Sequence, residues 1–303
     1  MRILVTGASG LLGGRLAALL SDAGYDVVAA GRRAAPPPGL RSVVVELSDP
    51  GALEKLLERE TPDAVIHAAA LARGDQCEAD PELAETVNAR LPGRLASTCR
   101  QRGIRLVGLS TDLVLGGQQP LSAEEVRAAP LGVYGRTKLA GEEALLAGDP
   151  SAAVARVALV VGRGHGARAT ASEGVAWALS AGRVVRLFAD EYRTPVDPES
   201  VAAAVAILVE RGGAGLFHLG GPERLTRLEL GHRVARVLGL AAEGIRAGFQ
   251  VDYPGPDRRP ADASLDSGRA RRELRWTPRP LEDALRGSRP APDSVGEAKN
   301  QRS

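Results

Sequence analysis

The sequence is poor in aromatic residues, cysteine and lysine, and each scarcity narrows what the protein can be. Aromatic residues make up 3% of the 303 residues, so any recognition of flat rings by stacking depends on few side chains. The two cysteines, Cys77 and Cys99, are too few for a disulfide framework and too isolated for a metal centre. The four histidines lack the spacing of metal ligands, and we predict no metal site.

Strong net charge and long apolar runs are also missing. The formal net charge is +2, which gives no reason to expect a nucleic-acid partner. No apolar stretch approaches the length needed to cross a bilayer, so we expect no membrane partner. The first residues turn directly into a strand rather than into a cleavable signal, and we therefore expect a cytoplasmic protein.

What the chain does contain is an alternation of short apolar strands with amphipathic helices. The pattern predicts strands at 2–6, 26–30, 42–46, 63–67, 104–109 and 152–161. It predicts helices at 11–23, 50–60, 81–102 and 131–146, and Pro92 is expected to kink or break the third of them. This alternation is typical of a doubly wound parallel Rossmann sheet, so the predicted fold class is α/β.

The pattern loosens after residue 162, which predicts a second, smaller domain of mixed α/β structure. The elements expected after that point are strands at 184–188 and 216–219 and helices at 170–180, 198–210, 226–238, 265–274 and 281–286. We predict a Rossmann domain at 1–165, rejoined by about 195–221, and a substrate-binding domain formed by 166–194 and 222–287. The polar residues 288–303 are predicted to be a disordered tail.

The first turn of the chain is rich in glycine and joins a buried strand to a helix. It reads Gly7-Ala8-Ser9-Gly10-Leu11-Leu12-Gly13. Gly7 permits a tight turn, Gly10 lets a pyrophosphate approach the backbone, and Gly13 lets the helix pack closely on the strand. The helix start adds unpaired N–H groups and a partial positive charge. The turn therefore predicts a phosphate cradle for a dinucleotide, with an ordinary strand–helix turn as the alternative.

Two arginines stand where the second strand ends. A ribose with a free 2′-hydroxyl is usually held there by an acidic side chain, and this chain has Gly31-Arg32-Arg33 instead. Guanidinium groups suit a 2′-phosphate through their charge and their paired hydrogen bonds. We therefore predict that Arg32 and Arg33 bind the cofactor and that it is NADPH or NADP rather than NADH. Surface arginines in an arginine-rich chain are the alternative.

Lysine is scarce enough that each one needs a reason. Lysine and arginine total 39, yet the only lysines are Lys55, Lys138 and Lys299. Lys138 follows Tyr134 by four positions, so the two side chains share a face of the predicted helix. A nearby ammonium favours tyrosinate and would lower the pKa of Tyr134 from about 10 toward neutrality. Tyr134 is thus a candidate general acid at a ketone or base at an alcohol, and a solvated helix face is the alternative.

Ser110-Thr111-Asp112 closes the predicted fifth strand. Ligands of open parallel sheets bind at the carboxyl ends of the strands. A hydroxyl here can therefore hydrogen-bond a substrate oxygen beside Tyr134. A helix cap or an Asx-type turn is the alternative for this tripeptide.

The glycine turn, the Ser-Thr-Asp tripeptide and the Tyr-x-x-x-Lys pair, in this order, resemble the short-chain dehydrogenase/reductase superfamily of extended type. Within it, the chain is most similar to the dTDP-4-dehydrorhamnose reductase-like group that acts on sugar nucleotides. The likeness covers roughly residues 1–286. The further segments that carry it are Glu46-Leu47-Ser48-Asp49, His67-Ala68-Ala69-Ala70, 75–81, Asn88-Ala89, 131–142, Arg259-Pro260 and Ser264-Leu265-Asp266.

This resemblance implies roles for individual residues. Thr111, Tyr134 and Lys138 would be catalytic, and Lys138 would also bind the ribose of the nicotinamide half. The residues implied to line the cofactor are Gly7, Ser9, Gly10, Leu11, Leu12, Glu46, Leu47, Ala68, Ala69, Ala70 and Gly162. The implied reaction is hydride transfer from NADPH to a 4-keto sugar nucleotide, with Tyr134 protonating the carbonyl oxygen.

The substrate side departs from the pattern of the group. Leu113, Leu115 and Gly116 stand where the group commonly has Tyr, Phe and Asp. Other candidate substrate contacts are aromatic residues that could stack on a base and arginines that could clamp a diphosphate, namely Trp177, Phe188, Tyr192, Arg193, Arg258 and Arg259. Core positions for the aromatic residues and surface positions for the arginines are the alternatives.

The resemblance leaves three functions open. The first is an NADPH-dependent reductase of a 4-keto sugar nucleotide. The second is a sugar-nucleotide 4-epimerase, or a reductase of another small carbonyl compound. The third is a non-catalytic NADP-binding regulatory subunit, against which the presence of Thr111, Tyr134 and Lys138 argues. The expected partner is a small molecule, a nucleotide sugar, and a homodimer is an open possibility for the assembly.

Overall fold

A seven-stranded parallel sheet forms the centre of the computed structural model, which describes residues 1–32, 39–49, 51–117, 119–166, 168–252 and 259–289. The strands of the chain are β1 (Arg2–Thr6), β2 (Asp26–Gly31), β3 (Arg41–Val44), β4 (Ala64–His67), β5 (Arg105–Thr111), β6 (Ala153–Val157), β7 (Val185–Phe188), β8 (Tyr192–Arg193), β9 (Gly215–Leu219), β10 (Leu225–Thr226) and β11 (Ile245–Gly248). The central sheet has the order β3-β2-β1-β4-β5-β6-β9. The strand order reverses between β1 and β4, and this reversal opens a crevice at the carboxyl ends of the strands.

Helices cover both faces of this sheet. They are α1 (Leu11–Asp22), α2 (Ala52–Glu60), α3 (Gly74–Ala79), α4 (Pro81–Glu85), α5 (Leu91–Arg102), α6 (Val133–Gly148), α7 (Ala171–Ser180), α8 (Pro198–Arg211), α9 (Arg227–Leu238), α10 (Gly268–Leu274) and α11 (Leu281–Arg286). A π-helical turn (Thr86–Arg90) and two 3₁₀ turns (Asp112–Val114 and Gln250–Asp252) complete the helical structure of the described residues. Within those residues, no helix is long and apolar enough to cross a membrane.

Alternate side chains of the strands enter two separate cores. On β1, Ile3 and Val5 join an apolar cluster that includes residues of α1 and α8. Leu4 joins a different cluster that includes residues of α2 and α5. All three side chains are fully buried, and burial on both faces is why parallel strands appear as continuous apolar runs in a sequence. The predicted α/β class with a doubly wound parallel sheet is confirmed.

Pro92 does not break the helix predicted at 81–102. A π-helical turn, Thr86–Arg90, precedes it, and α5 then continues past the proline. Proline cannot donate to the carbonyl four residues earlier, which belongs to Asn88. That carbonyl lies against α6 at Gly141, where an added Cβ would stand 2.0 Å from the Asn88 oxygen. Of the two expected effects, a kink or a break, the break is therefore wrong, because the wider turn accommodates the proline and Gly141 admits the close helix contact.

The second half of the chain adds a small α/β unit beside the sheet. β7 pairs in parallel with β11, and β8 pairs antiparallel with β10. α7, α9 and α11 enclose a third apolar cluster around Leu230. Ser288 and Arg289, which the sequence assigns to a disordered tail, hydrogen-bond Ser172 and Glu173 of α7. The remainder of the predicted tail lies outside the described residues.

Candidate active site

The turn between β1 and α1 has the shape of a phosphate cradle. Gly7 has a φ of +70°, and an added Cβ would lie 2.6 Å from the backbone of Ala68 and Ala69. Gly13 is placed as tightly, since its added Cβ would lie 2.5 Å from the Gly7 carbonyl oxygen. Gly10 precedes α1 and gives it no side-chain cap. The first N–H groups of α1 are therefore available to an anionic ligand.

Most residues predicted to line the cofactor meet at this turn. Ser9 reaches the end of β2, where its Oγ lies 3.0 Å from the position that a Cβ on Gly31 would take. Leu11 and Leu12 open α1 and are half-buried. Residues 68–70 directly follow β4, the strand next to β1 in the sheet. The glycine turn and the end of β4 thus form one continuous edge.

Two predicted cofactor residues lie apart from the turn. Leu47 is 5% exposed and packs in the apolar cluster that includes α2. Gly162 has a φ of +75°, and a Cβ there would lie 2.8 Å from the Ala284 carbonyl oxygen. The loop that follows reaches the cradle at His165, whose N–H donates to the Leu11 carbonyl at 3.0 Å. Sequence reasoning missed His165, since a lone histidine in a glycine-rich loop carries no motif.

The predicted contacts to a 2′-phosphate lie beyond the end of β2. Arg32 is exposed, and its Nη1 lies 3.9 Å from Glu46 Oε2. Glu46 also accepts hydrogen bonds from the backbone N–H and the hydroxyl of Ser48, at 3.2 and 2.7 Å. Arg33 lies outside the described residues. The end of β2 has no acidic residue, but the carboxylate of Glu46, which follows β3, lies near Arg32.

Thr111 and Tyr134 meet at the carboxyl end of β5. Thr111 is 8% exposed, and its hydroxyl oxygen accepts the Leu113 N–H at 3.2 Å, which caps the 3₁₀ turn after β5. The Thr111 hydroxyl donates to Asp112 Oδ1 at 3.2 Å, and its interaction with the phenol of Tyr134 lowers the pKa of that phenol. The cap that the sequence offered as an alternative is therefore present together with the contact to Tyr134.

The surroundings of Tyr134 keep its phenol protonated. Burial and then the charge of Asp112 raise the pKa of Tyr134 well above its ordinary value, and the hydrogen bond with Thr111 lowers it only in part. The predicted lowering of this pKa by Lys138 is wrong, because Lys138 directs its ammonium to the Leu109 carbonyl oxygen at 2.8 Å. A protonated phenol at neutral pH is what a proton donor requires.

Lys138 is itself buried on the inner face of α6, with 6% of its surface exposed. The pKa of Lys138 is lowered to about 8 because burial disfavours its charge; the negative charge of Glu142, one turn further along α6, acts in the opposite direction but is the smaller effect. Lys55, by contrast, is exposed on α2. The solvated helix face offered as the alternative is therefore wrong for Lys138, because its ammonium faces the sheet.

A buried ion network ties the second unit to the end of β5. Arg193 of β8 places Nη1 2.7 Å from Asp112 Oδ2 and Nη2 3.1 Å from Glu191 Oε1. None of the three side chains is more than 4% exposed. The surface position offered as an alternative for Arg193 is therefore wrong, and its guanidinium is occupied by two buried carboxylates rather than offered to a diphosphate.

Two further arginines border this network. Arg259 Nη1 lies 3.9 Å from Glu191 Oε2, while Arg258 lies outside the described residues. Arg227 opens α9 and was not anticipated from the sequence; burial lowers its pKa, Glu191 raises it, and Arg193 and Arg259 lower it again. A cation at the first residue of a helix opposes the helix dipole. An arginine at the start of this helix was therefore the feature of the sequence that could have pointed to Arg227. Three guanidinium groups thus face two carboxylates.

The aromatic side chains considered for base stacking are held by protein groups. The guanidinium of Arg224 lies 3.7 Å from the centroid of the Tyr192 ring. Trp177 borders the third apolar cluster, and its Nε1 donates to the Arg289 carbonyl at 3.0 Å. Phe188 ends β7 and is half-buried. One face of Tyr192 is covered by protein, and a packing role fits Trp177.

Leu113, Leu115 and Gly116, which stand where the group commonly has Tyr, Phe and Asp, form an apolar segment after β5. Leu115 is fully buried in the cluster that includes α1 and α8, so this position contributes to packing. Leu113 and Gly116 are half-buried beside the turn that Thr111 caps. Neither offers a side chain that could hydrogen-bond or stack on a substrate.

Comparison with known proteins accords with this geometry. The family described as RmlD substrate binding domain matches residues 1–288. The probable low-salt glycan biosynthesis reductase Agl14 of Haloferax volcanii is 34% identical over 292 residues, covering 94% of this chain and 96% of that protein. Methionine adenosyltransferase 2 subunit beta of Rattus norvegicus is 30% identical over 271 residues, covering 88% of this chain and 80% of that protein. The crystal structure of a hypothetical dTDP-4-dehydrorhamnose reductase from Sulfolobus tokodaii is 30% identical with a TM-score of 0.81, covering 91% of this chain and 96% of the other.

Proposed function

The chain belongs to the family of RmlD substrate-binding domains, and from this premise we propose that it is an NADPH-dependent reductase of a 4-keto sugar nucleotide. The resemblance to the dTDP-4-dehydrorhamnose reductase-like group is confirmed by the family match. The observation that carries the proposal is the meeting of a hydroxyl, a protonated phenol and a buried lysine beside a glycine cradle. Thr111, Tyr134 and Lys138 lie on β5 and α6, at the same edge of the sheet as Gly7.

The cradle fits a dinucleotide cofactor. Its glycines leave the first N–H groups of α1 without a side-chain cap, and these groups would hold the pyrophosphate. Arg32 offers charge to a 2′-phosphate. The residues proposed to hold NADPH are Gly7, Ser9, Gly10, Leu11, Leu12, Arg32, Arg33, Glu46, Ala68, Ala69, Ala70 and Lys138. When bound, NADPH supplies the hydride for the carbonyl carbon of the substrate.

The protein supplies the proton. Tyr134 donates its phenolic proton to the carbonyl oxygen as negative charge develops there. The hydroxyl of Thr111, which contacts the same phenol, orients that oxygen through a hydrogen bond. Lys138 follows on the same face of α6, where the Leu109 carbonyl holds its ammonium at 2.8 Å, and it would bind the ribose hydroxyls of the nicotinamide half of the cofactor.

The charge of the second unit supports an anionic substrate. The network around Asp112 combines three guanidinium groups with two carboxylates, which leaves one net positive charge. A sugar nucleotide carries a diphosphate, and guanidinium groups bind such groups through paired hydrogen bonds. The side chain of Arg259 is 38% exposed, whereas that of Arg193 is 4% exposed. Arg259 is therefore the arginine proposed to reach the diphosphate.

A second candidate is a non-catalytic NADP-binding regulatory subunit, which the similarity to a protein named as a subunit favours. A 4-epimerase would use the same site. NADPH oxidation with a panel of keto sugar nucleotides separates these functions. A reductase consumes NADPH in proportion to the keto sugar, an epimerase shows no net consumption, and a subunit binds NADPH without turnover.

Tyr134→Phe tests the role of the phenol. We expect kcat to fall by about 10² to 10⁴ while the affinity for NADPH stays the same, because the ring remains and only the proton is lost. Tyr25→Phe is the matched control, since Tyr25 hydrogen-bonds Glu210 on α8 instead. Wild-type turnover in Tyr134→Phe would remove Tyr134 from the reaction.

A further inference from the structure

A row of buried polar side chains crosses the sheet beneath α6. Ser110 on β5, Arg156 on β6 and His218 on β9 occupy matched register positions of neighbouring strands. Glu142 of α6 accepts hydrogen bonds from the Ser110 hydroxyl and from Arg156 Nε and Nη2, the latter two at 3.0 and 2.7 Å. Arg156 Nη1 lies 3.3 Å from His218 Nε2. None of the four residues is more than 9% exposed, so this half of the row is a continuous buried network.

The other half begins at β1 and lies two residues earlier along the strands than the first half. His67 on β4 lies in register with Thr6 on β1 and with Gly108 on β5. His67 Nδ1 lies 2.8 Å from Thr6 Oγ1. His67 is 2% exposed, and its second ring nitrogen, Nε2, has no hydrogen-bond partner among the described protein groups. A buried polar atom of this kind is uncommon and calls for a partner.

A small cavity separates the two halves. His67, Ser110, Lys138 and Glu142 border it, and its volume is about 10 Å³, which is close to the space of one water molecule. An ammonium has three N–H donors, and Lys138 gives one of them to the Leu109 carbonyl at 2.8 Å. The cavity therefore offers a strong donor, an acceptor nitrogen and a carboxylate to a single small ligand.

We propose that this cavity binds one structural water, which accepts a hydrogen bond from Lys138 Nζ and donates one to His67 Nε2. His67 and Glu142 are then positioning residues for Lys138. A buried water needs sufficient space and two to four polar partners, and the groups that border the cavity supply both. The inference rests on the proposed function for the part that Lys138 plays in turnover, whereas the water site itself does not depend on it.

The charges around Lys138 agree with this arrangement. Burial lowers the pKa of Lys138, and Glu142 raises it. The other titratable group that borders the cavity is His67 on β4, while Arg156 on β6 holds the carboxylate of Glu142. Burial, and then the positive charge of Lys138, lower the pKa of His67 to about 3, so the ring is neutral at working pH. Its Nε2 can then accept a hydrogen bond while its Nδ1–H donates toward β1.

The small number of lysines permits a direct test. The chain has only Lys55, Lys138 and Lys299, so isotope labelling of the lysine Cε carbons gives one NMR signal for each. Lys55→Arg and Lys299→Arg assign the other two signals. A pH titration of the full chain, without cofactor or substrate, then measures the midpoint at which Lys138 loses its proton.

We expect His67→Leu to move the midpoint of Lys138 lower by about one pH unit, because a hydrogen bond to an ion contributes on that scale. His67→Gln is the matched control, since it keeps a polar acceptor and should leave the midpoint near that of the wild type. Glu142→Gln should also lower the midpoint, because it removes the carboxylate charge. An unchanged midpoint in folded His67→Leu overturns the proposal.

A second measurement needs no variant. The proposal requires the His67 tautomer with its proton on Nδ1, and the nitrogen chemical shifts of the ring report this in the wild-type protein. A proton on Nε2 contradicts the proposed water orientation. Because neither measurement uses a substrate, a shifted midpoint without reductase activity would reject the proposed function alone. Reductase activity with an unshifted midpoint would reject the water site alone.

Discussion

Replacement of Arg193 tests how the second unit is held against the end of β5. Arg193→Met keeps the length of the side chain and removes its charge. Asp112 and Glu191, with side chains 4% and 0% exposed, would then remain buried without the guanidinium that lies 2.7 and 3.1 Å from them. The cations that remain in the network are Arg259, 3.9 Å from Glu191, and the buried Arg227.

The expected cost follows from this burial. Removal of one partner of a buried ion pair destabilises a protein by about 3–5 kcal/mol, because the remaining charge stays out of water without compensation. Whole domains are stable by only about 5–15 kcal/mol. Arg193→Met should therefore remove a large share of the free energy of unfolding. The double variant with Asp112→Asn should recover part of it, because one buried carboxylate is then gone.

Urea unfolding followed by circular dichroism measures this change. Arg90→Met is the matched control, since Arg90 pairs with Glu82 on the surface with both side chains more than half exposed. Such a pair contributes at most about 1 kcal/mol. If Arg193→Met costs no more than Arg90→Met, the reasoning from burial is refuted.

Three further predictions follow from the cradle and the buried histidine. Gly7→Ala should weaken NADPH binding at least about tenfold in a fluorescence titration, because Gly7 has a φ of +70° and an added Cβ would lie 2.6 Å from backbone atoms. Gly174→Ala is the control: Gly174 lies in an open position on α7, so this variant should bind NADPH as the wild type does. Burial lowers the pKa of His67 to about 3 in the folded protein, so below about pH 6.5 the unfolded chain binds more protons than the folded one, and the free energy of unfolding decreases as the pH falls. His67→Gln removes this proton binding. When the pH is lowered to about 5, the loss of unfolding free energy measured with urea should therefore be smaller in His67→Gln than in the wild type, by up to about 2 kcal/mol. Arg32→Ala with Arg33→Ala should reduce the preference for NADPH over NADH, measured as a ratio of Kd values, and an unchanged ratio would reject the 2′-phosphate argument.

Most of the central sheet could be predicted because its inner strands, such as β1 and β4, are buried on both faces. β1 and the glycine turn lie where the sequence placed them, since a short apolar run followed by Gly7 leaves few conformations open. β8 and β10 were missed, because strands of two residues carry no periodicity. The turn Thr86–Arg90 was missed for a related reason: the local pattern remains helical, and only the contact with Gly141 reveals the wider turn.

The candidate site could be predicted in its residues but not in its electrostatics. The spacing of Tyr134 and Lys138 correctly placed the two residues on one helix, yet spacing says nothing about depth. Burial is what raises the pKa of Tyr134 and lowers that of Lys138. The sequence could not show that Arg193 is buried, because the chain is rich in arginine and only the structure reveals the carboxylates of Asp112 and Glu191 that pair with it.

The protonation state of Tyr134 also bears on which of the related reactions the site can perform. A phenol whose pKa is raised by burial and by Asp112 can give a proton to a carbonyl oxygen, but it must first ionise before it can take one from an alcohol. Reduction at neutral pH starts from the stable form of the residue, whereas oxidation starts from the disfavoured one. A 4-epimerase needs both steps in each turnover, and a reductase needs only the first. The arrangement of Thr111, Asp112 and Tyr134 therefore suits proton donation, which is the step that reduction of a carbonyl group requires.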